Sequence, residues 1–122
     1  MQAQKTLIIS VGKRRLSATL ADNSSAKALA DLLANGPIVI TMEDYGHMEK
    51  VGDLGARLPT NDEHITTSAG DLILYLGNKF VLYYAPNTWS FTRLGKIDNV
   101  SADELKRILG KDDVEIELSL SK

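Results

Sequence analysis

The stretch from Asp71 to Tyr84 constrains the fold of this chain most, because it reads as a β-hairpin that is apolar on both faces. Leu72-Ile73-Leu74-Tyr75 and Phe80-Val81-Leu82-Tyr83 flank Gly77-Asn78, a pair suited to a two-residue turn with positive φ at its first position. Folding about that turn sets Tyr75 opposite Phe80 and Ile73 opposite Leu82 on one face. Leu74 opposite Val81 and Leu72 opposite Tyr83 lie on the other. Successive side chains of a strand point to opposite faces, so this hairpin needs cover on each side. A closed or nearly closed barrel with a helix over it meets that demand.

The remaining pattern agrees. Lys5 to Val11 and Leu16 to Leu20 read as strands joined at Gly12-Lys13, with Leu16, Ala18 and Leu20 alternating with polar neighbours. Asn23 caps a helix carrying Ala26, Leu29, Ala30 and Leu33, and Asn35-Gly36 stops it. Pro37 opens a strand from Ile38 to Met42, and Trp89 to Ile97 forms another. Ser101 and Glu104 make a capping box for a second helix, Ala102 to Leu109, with Val100 and Leu105 as its hydrophobic staple. The last strand alternates Val114, Ile116, Leu118 and Leu120 inward with Glu115, Glu117, Ser119 and Ser121 outward. The expected architecture is mainly β: one domain over residues 1–122, about eight strands in a closed barrel, and two helices.

Composition narrows the function classes. With 122 residues, 43% hydrophobic and 25% charged, the chain has enough apolar side chains for a single core. A net charge of −2 and a lone basic cluster, Lys13-Arg14-Arg15, argue against nucleic acid. The absence of cysteine excludes disulfides, thiolate metal sites and cysteine nucleophiles. No apolar run reaches membrane-spanning length and the N-terminal pattern is that of a strand, so a cytoplasmic domain without a membrane partner is expected.

Between the strands lies a polar, glycine-punctuated segment, Asp44 to Asp71, expected to be a long irregular connection and to mark the functional face. His47, Glu49 and Asp44, and separately Asp62-Glu63-His64, lack metal-ligand spacing, so neither a metal nor a cofactor is expected. Gly46, Gly52 and Gly55 do not have phosphate-loop spacing. Ser90 lacks both a nucleophile elbow and an evident activating base.

Several stretches in order carry a family resemblance. They are Leu20-Ala21-Asp22-Asn23, Ile40 to Tyr45 with Glu49-Lys50, Leu58-Pro59-Thr60-Asn61-Asp62, Gly70 to Tyr75, and Trp89 to Ile97. Together they resemble the small bacterial cyclophilin-like family, which implies the cyclophilin β-barrel. Prolyl isomerases of that fold carry a Phe-His-Arg strand motif whose arginine polarises the proline amide. The nearest strand here offers Met42-Glu43-Asp44, and an ionised carboxylate cannot donate that hydrogen bond.

The expectation is therefore a binding domain for a peptide or small polar molecule on the barrel face. The alternatives are an enzyme using Glu49 as general base and a divergent prolyl isomerase. The ligand-binding candidates are Tyr45, Glu49, Asn61, Tyr84, Trp89, Ser90 and Arg93. Glu49, set among Tyr45, Met48 and Leu54, is expected to be partly desolvated and raised in pKa. Arg93 is expected on the opposite wall, a pairing that selects a polar or zwitterionic ligand.

Overall fold

The computed structural model describes residues 6–46, 49–98, 100–110 and 112–120. In chain order these form β1 (Thr6–Val11), β2 (Arg14–Leu20), α1 (Ser24–Leu33), β3 (Ile38–Tyr45), β4 (Glu49–Asp53) and β5 (Glu63–Thr66). Then come β6 (Asp71–Tyr75), β7 (Lys79–Tyr83), β8 (Thr88–Ile97), α2 (Ala102–Leu109) and β9 (Val114–Leu120). The strands pair in the order β2-β1-β9-β3-β4-β7-β6-β8-β5, all antiparallel, and β2 also pairs with β8. That last pairing closes an eight-stranded barrel, with β5 added outside it along the start of β8. Closure needs Gly95: a Cβ there would stand 2.5 Å from the Thr19 carbonyl oxygen on β2.

Inward-facing residues of every barrel strand but β4, whose inward positions are Lys50 and Gly52, meet in one core. Leu7, Ile9, Ile40, Met42, Leu72, Leu74, Phe80, Leu82, Leu94, Ile116 and Leu118 are all buried in it. The connections between strands place the helices at opposite ends. α1 joins the end of β2 to the start of β3 and inserts Leu29 and Leu33; α2 joins β8 to β9 and inserts Leu105 and Leu109. Each helix begins as its sequence dictates. Asn23 Oδ1 accepts from the Ala26 amide at 2.8 Å, and Ser101 Oγ accepts from the Glu104 amide at 3.1 Å.

Three expectations are corrected. The 44–71 segment is not one irregular connection, because it contains β4 and β5. β4 is poorly legible because its Glu49-Lys50-Val51-Gly52-Asp53 sequence has few strand formers. It needs glycine at position 52, where a Cβ would meet Ile40 Cγ2 at 2.4 Å and Met42 Sδ at 2.8 Å. The hairpin register is also different. Leu72 pairs with Leu82, Ile73 with Val81, Leu74 with Phe80 and Tyr75 with Lys79, around a three-residue loop, Leu76-Gly77-Asn78. Leu76 and Gly77 both take positive φ, at 57° and 81°. Third, Val114 is only partly buried, although it packs against the core. Ser121 lies outside the described residues.

The shifted register sorts the hairpin cleanly. Leu72, Leu74, Phe80 and Leu82 face inward, while Ile73, Tyr75, Val81 and Tyr83 face outward into a second apolar cluster with Phe91, Val51 and Ile65. Both faces of the hairpin are therefore covered, the inner by the barrel core and the outer by β5 and the first half of β8.

Candidate functional site

Outward residues of adjacent strands fall into rows across β3, β4, β7 and β6. One row is Tyr45–Glu49–Tyr83, the next Glu43–Val51–Val81–Ile73, and the third ends Asp53–Lys79–Tyr75. The start of β8 stands beside this surface and contributes Trp89 and Phe91. Between them runs an open groove of about 750 Å³, within the range of small-molecule sites. On its aromatic side three rings pack together. The Phe91 ring lies 5.5 Å from Tyr83 and 6.2 Å from Tyr75, centroid to centroid, both tilted or edge-on. Tyr45 and Trp89 line the same groove yet remain 66% and 58% exposed.

Glu49 lies deep in this groove, only 7% exposed. Burial raises its pKa, opposed by a hydrogen bond from Tyr83 and reinforced by the nearby Asp44 charge. The Asn87 side-chain amide donates to the Tyr83 hydroxyl at 3.2 Å, so Asn87, Tyr83 and Glu49 form a directed hydrogen-bond chain. Burial pushes the Tyr83 hydroxyl well above its ordinary pKa, which keeps it a neutral donor. Leu54, expected beside Glu49, is instead part of the inner core, and Met48 lies outside the described residues.

The other face of β4 carries Lys50, which is fully buried. Its ammonium lies 3.2 Å from Asp44 Oδ1 and donates to the Asp112 carbonyl at 2.6 Å. The Tyr84 hydroxyl donates to the same Asp44 oxygen. Burial, and then that carboxylate, hold the Tyr84 proton on well above the ordinary phenol pKa. Asp44 therefore reaches the groove but is already held from inside the barrel.

Of the expected site residues, the structure brings Tyr45, Glu49 and Trp89 together. Tyr84 is turned away: it is buried in the inner core, on the opposite side of the sheet from Tyr83. Arg93 does not form an opposite wall. It follows Phe91 along β8, pairs with Asp71 at 3.8 Å, and lines a separate shallow hollow with Asn61 and Asp62. Asn61 donates through Nδ2 to Ser24 and Ser25, and its amide bonds Thr92 Oγ1 at 2.8 Å, so it pins a loop across the α1 end of the barrel. Ser90 is exposed and stands opposite His64 on β5, outside the groove lining. Sequence reasoning missed Tyr75, Tyr83, Asn87, Val51 and Phe91. The first two were hidden by the register, since a one-residue slip exchanges the faces of a strand.

Among the described residues, no three histidine or acidic side chains converge as metal ligands. His47 lies outside the described residues. No helix is long and apolar enough to cross a membrane among those residues.

No curated protein sequence matches the chain. Its fold is similar to the solution structure of the hypothetical protein AF2241 from Archaeoglobus fulgidus. The TM-score is 0.67, over 98% of this chain and 96% of that one, at 16% sequence identity. At that identity the likeness speaks to the fold. The model of the cyclophilin-like family matches residues 9–121, nearly the whole described barrel, and the chain belongs to that family.

Proposed function

We propose that this domain binds a peptide or small polar molecule in the groove on the outer face of its barrel. The observation that carries the reading is a buried carboxylate, Glu49, set in a concave surface with exposed aromatic walls. A solvent-accessible groove of about 750 Å³ with a few converging polar groups is the usual form of a ligand site. Exposed Trp89 and Tyr45 make no comparable contribution to the barrel core, whereas aromatic side chains of this kind suit a ligand's apolar body.

The raised pKa of Glu49 supports a second reading, in which it removes a proton from a bound substrate. The Tyr83–Asn87 chain would then hold the carboxylate in one orientation. Prolyl isomerisation of the usual type finds less support. Among the described residues the cation lining the groove is Lys79, 3.5 Å from Asp53, and Arg93 lies in the other hollow.

A fragment screen read by amide chemical shifts tests the binding reading. Hits should perturb the amides of Glu49, Tyr83, Asn87 and Trp89 together. Hits that map to the Arg93 hollow, or to no common surface, would overturn it. Any turnover found with such a hit should disappear in Glu49→Gln if the second reading is correct.

A further inference from the structure

The groove is unevenly charged. Among the described residues, four carboxylates and one ammonium line it. Two of the carboxylates have cation partners: Asp44 is held by Lys50 at 3.2 Å, and Asp53 by Lys79 at 3.5 Å. Glu43 and Glu49 have no cation partner among the described residues. Because Lys79 is already engaged by Asp53, an anionic group entering the groove meets no uncompensated positive charge among the described residues.

Glu49 also has a particular setting. Its cross-strand neighbours are Tyr45 on one side and Tyr83 on the other, and Trp89 lines the same groove. A carboxylate among aromatic side chains is a composition that favours a positively charged nitrogen. Ring faces attract a cation, and the carboxylate supplies its counter-charge. For Glu49 the attraction is mutual, because a desolvated carboxylate gains most from an opposite charge brought to it.

Resting on the groove-binding reading above, we propose that the ligand is a small organic cation. It carries a protonated amine or guanidinium against Glu49 and a flat apolar body against Trp89 and Phe91. The size of the groove favours a small molecule over a long peptide, since about 750 Å³ holds one compact ligand. The middle row between Glu49 and the Asp53–Lys79 pair lines the groove with Val51, an apolar contact for the ligand's body, and with Glu43, a second carboxylate.

Three probes of one shape test the charge: phenethylamine, protonated at neutral pH, 2-phenylethanol and 3-phenylpropionate. Binding is followed by fluorescence of Trp89, the chain's only tryptophan, and by amide shifts around Glu49. The amine should bind at least tenfold more tightly than the alcohol, and the propionate more weakly still. Glu49→Gln should remove most of the amine's advantage over the alcohol. Tyr45→Ala, at an exposed position whose loss leaves the core intact, should weaken the amine more than the alcohol. If alcohol or propionate binds as well as the amine, the groove binds ligands but the cation proposal is wrong. If none of the three perturbs the groove at up to about 10 mM, weaker than ordinary small-ligand affinity, both this proposal and the binding reading are overturned.

Discussion

Glu49 and Lys50 are neighbours on one strand, both buried, and their surroundings are opposite in kind. Lys50 points into the barrel and finds a carboxylate, a backbone carbonyl and, through Asp44, the Tyr84 hydroxyl. Glu49 points out and finds a tyrosine hydroxyl, a nearby like charge and a groove. The inner cluster is charge-compensated and closed, as a structural ion pair must be to survive burial. The outer carboxylate is desolvated with no cation partner among the described residues, a cost that a fold has no structural reason to carry. Adjacent tyrosines repeat the contrast, with Tyr84 serving the inner cluster and Tyr83 the outer one. Alternation along a strand thus separates scaffold from candidate site within two residues.

The comparison breaks most visibly at Lys50. Lys50→Ala leaves Asp44 largely buried beside Tyr84 without its ammonium, and losing one partner of a buried pair costs about 3–5 kcal/mol. Urea unfolding should show that loss, and a change below about 1 kcal/mol would mean the inner cluster is not structural. Tyr84→Phe comes next. It removes a hydrogen bond to an ionised carboxylate while keeping the ring in the core, a loss of about 1.5–3 kcal/mol in the same experiment. An unchanged midpoint would show that Asp44 does not rely on the Tyr84 hydroxyl.

Glu49 should behave in the opposite sense. Burial favours its protonated form, so the folded protein holds this proton more tightly than the unfolded chain does. Stability linked to Glu49 is therefore greatest below its ordinary pKa of 4.5 and falls as pH rises through the raised folded value. Asp44 adds to the rise and Tyr83 opposes it, but burial dominates. Glu49→Gln should thus match the parent near about pH 4 and exceed it in stability at about pH 8, by on the order of 1 kcal/mol. A variant less stable than the parent at both pH values would show that the carboxylate is needed to hold the sheet together. That outcome would erase the distinction between the two clusters.

How much of this was legible in the sequence follows from the same alternation. The barrel was readable because its inward residues announce themselves, as in Leu7 and Ile9, Leu16 and Leu20, Ile116 and Leu118. Helix starts were readable because Asn23 and Ser101 cap locally, within three residues. β4 was not, because its strand character depends on partners on other elements: Asp44 and the distant Asp112 carbonyl for Lys50, and close packing against Ile40 and Met42 of β3 for Gly52. Tyr45, Glu49 and Trp89, which the structure brings to one groove, were picked out by residue type, as large or ionisable groups near a polar segment. Arg93 was misplaced because strand spacing does not say where along β8 the groove ends. The bulge opposite Leu72 and Ile73 adds a residue there that no local pattern signals.

The smallest expected effect on stability lies at Trp89, and it is the sharpest separation of the two regions. The side chain is 58% exposed and stands at the start of β8, paired through Ile65 to the added strand rather than to the barrel. Trp89→Ala should therefore change unfolding free energy by no more than about 0.5 kcal/mol, the range for an exposed position outside the core. Its loss should nonetheless strip one wall from the groove and weaken any ligand seen at Glu49 by tenfold or more, read by amide shifts because the variant has no tryptophan. A stable variant with undiminished binding would move the site away from β8. A variant destabilised by several kcal/mol would make Trp89 part of the outer apolar cluster, and the exposed wall would then be scaffold like the rest.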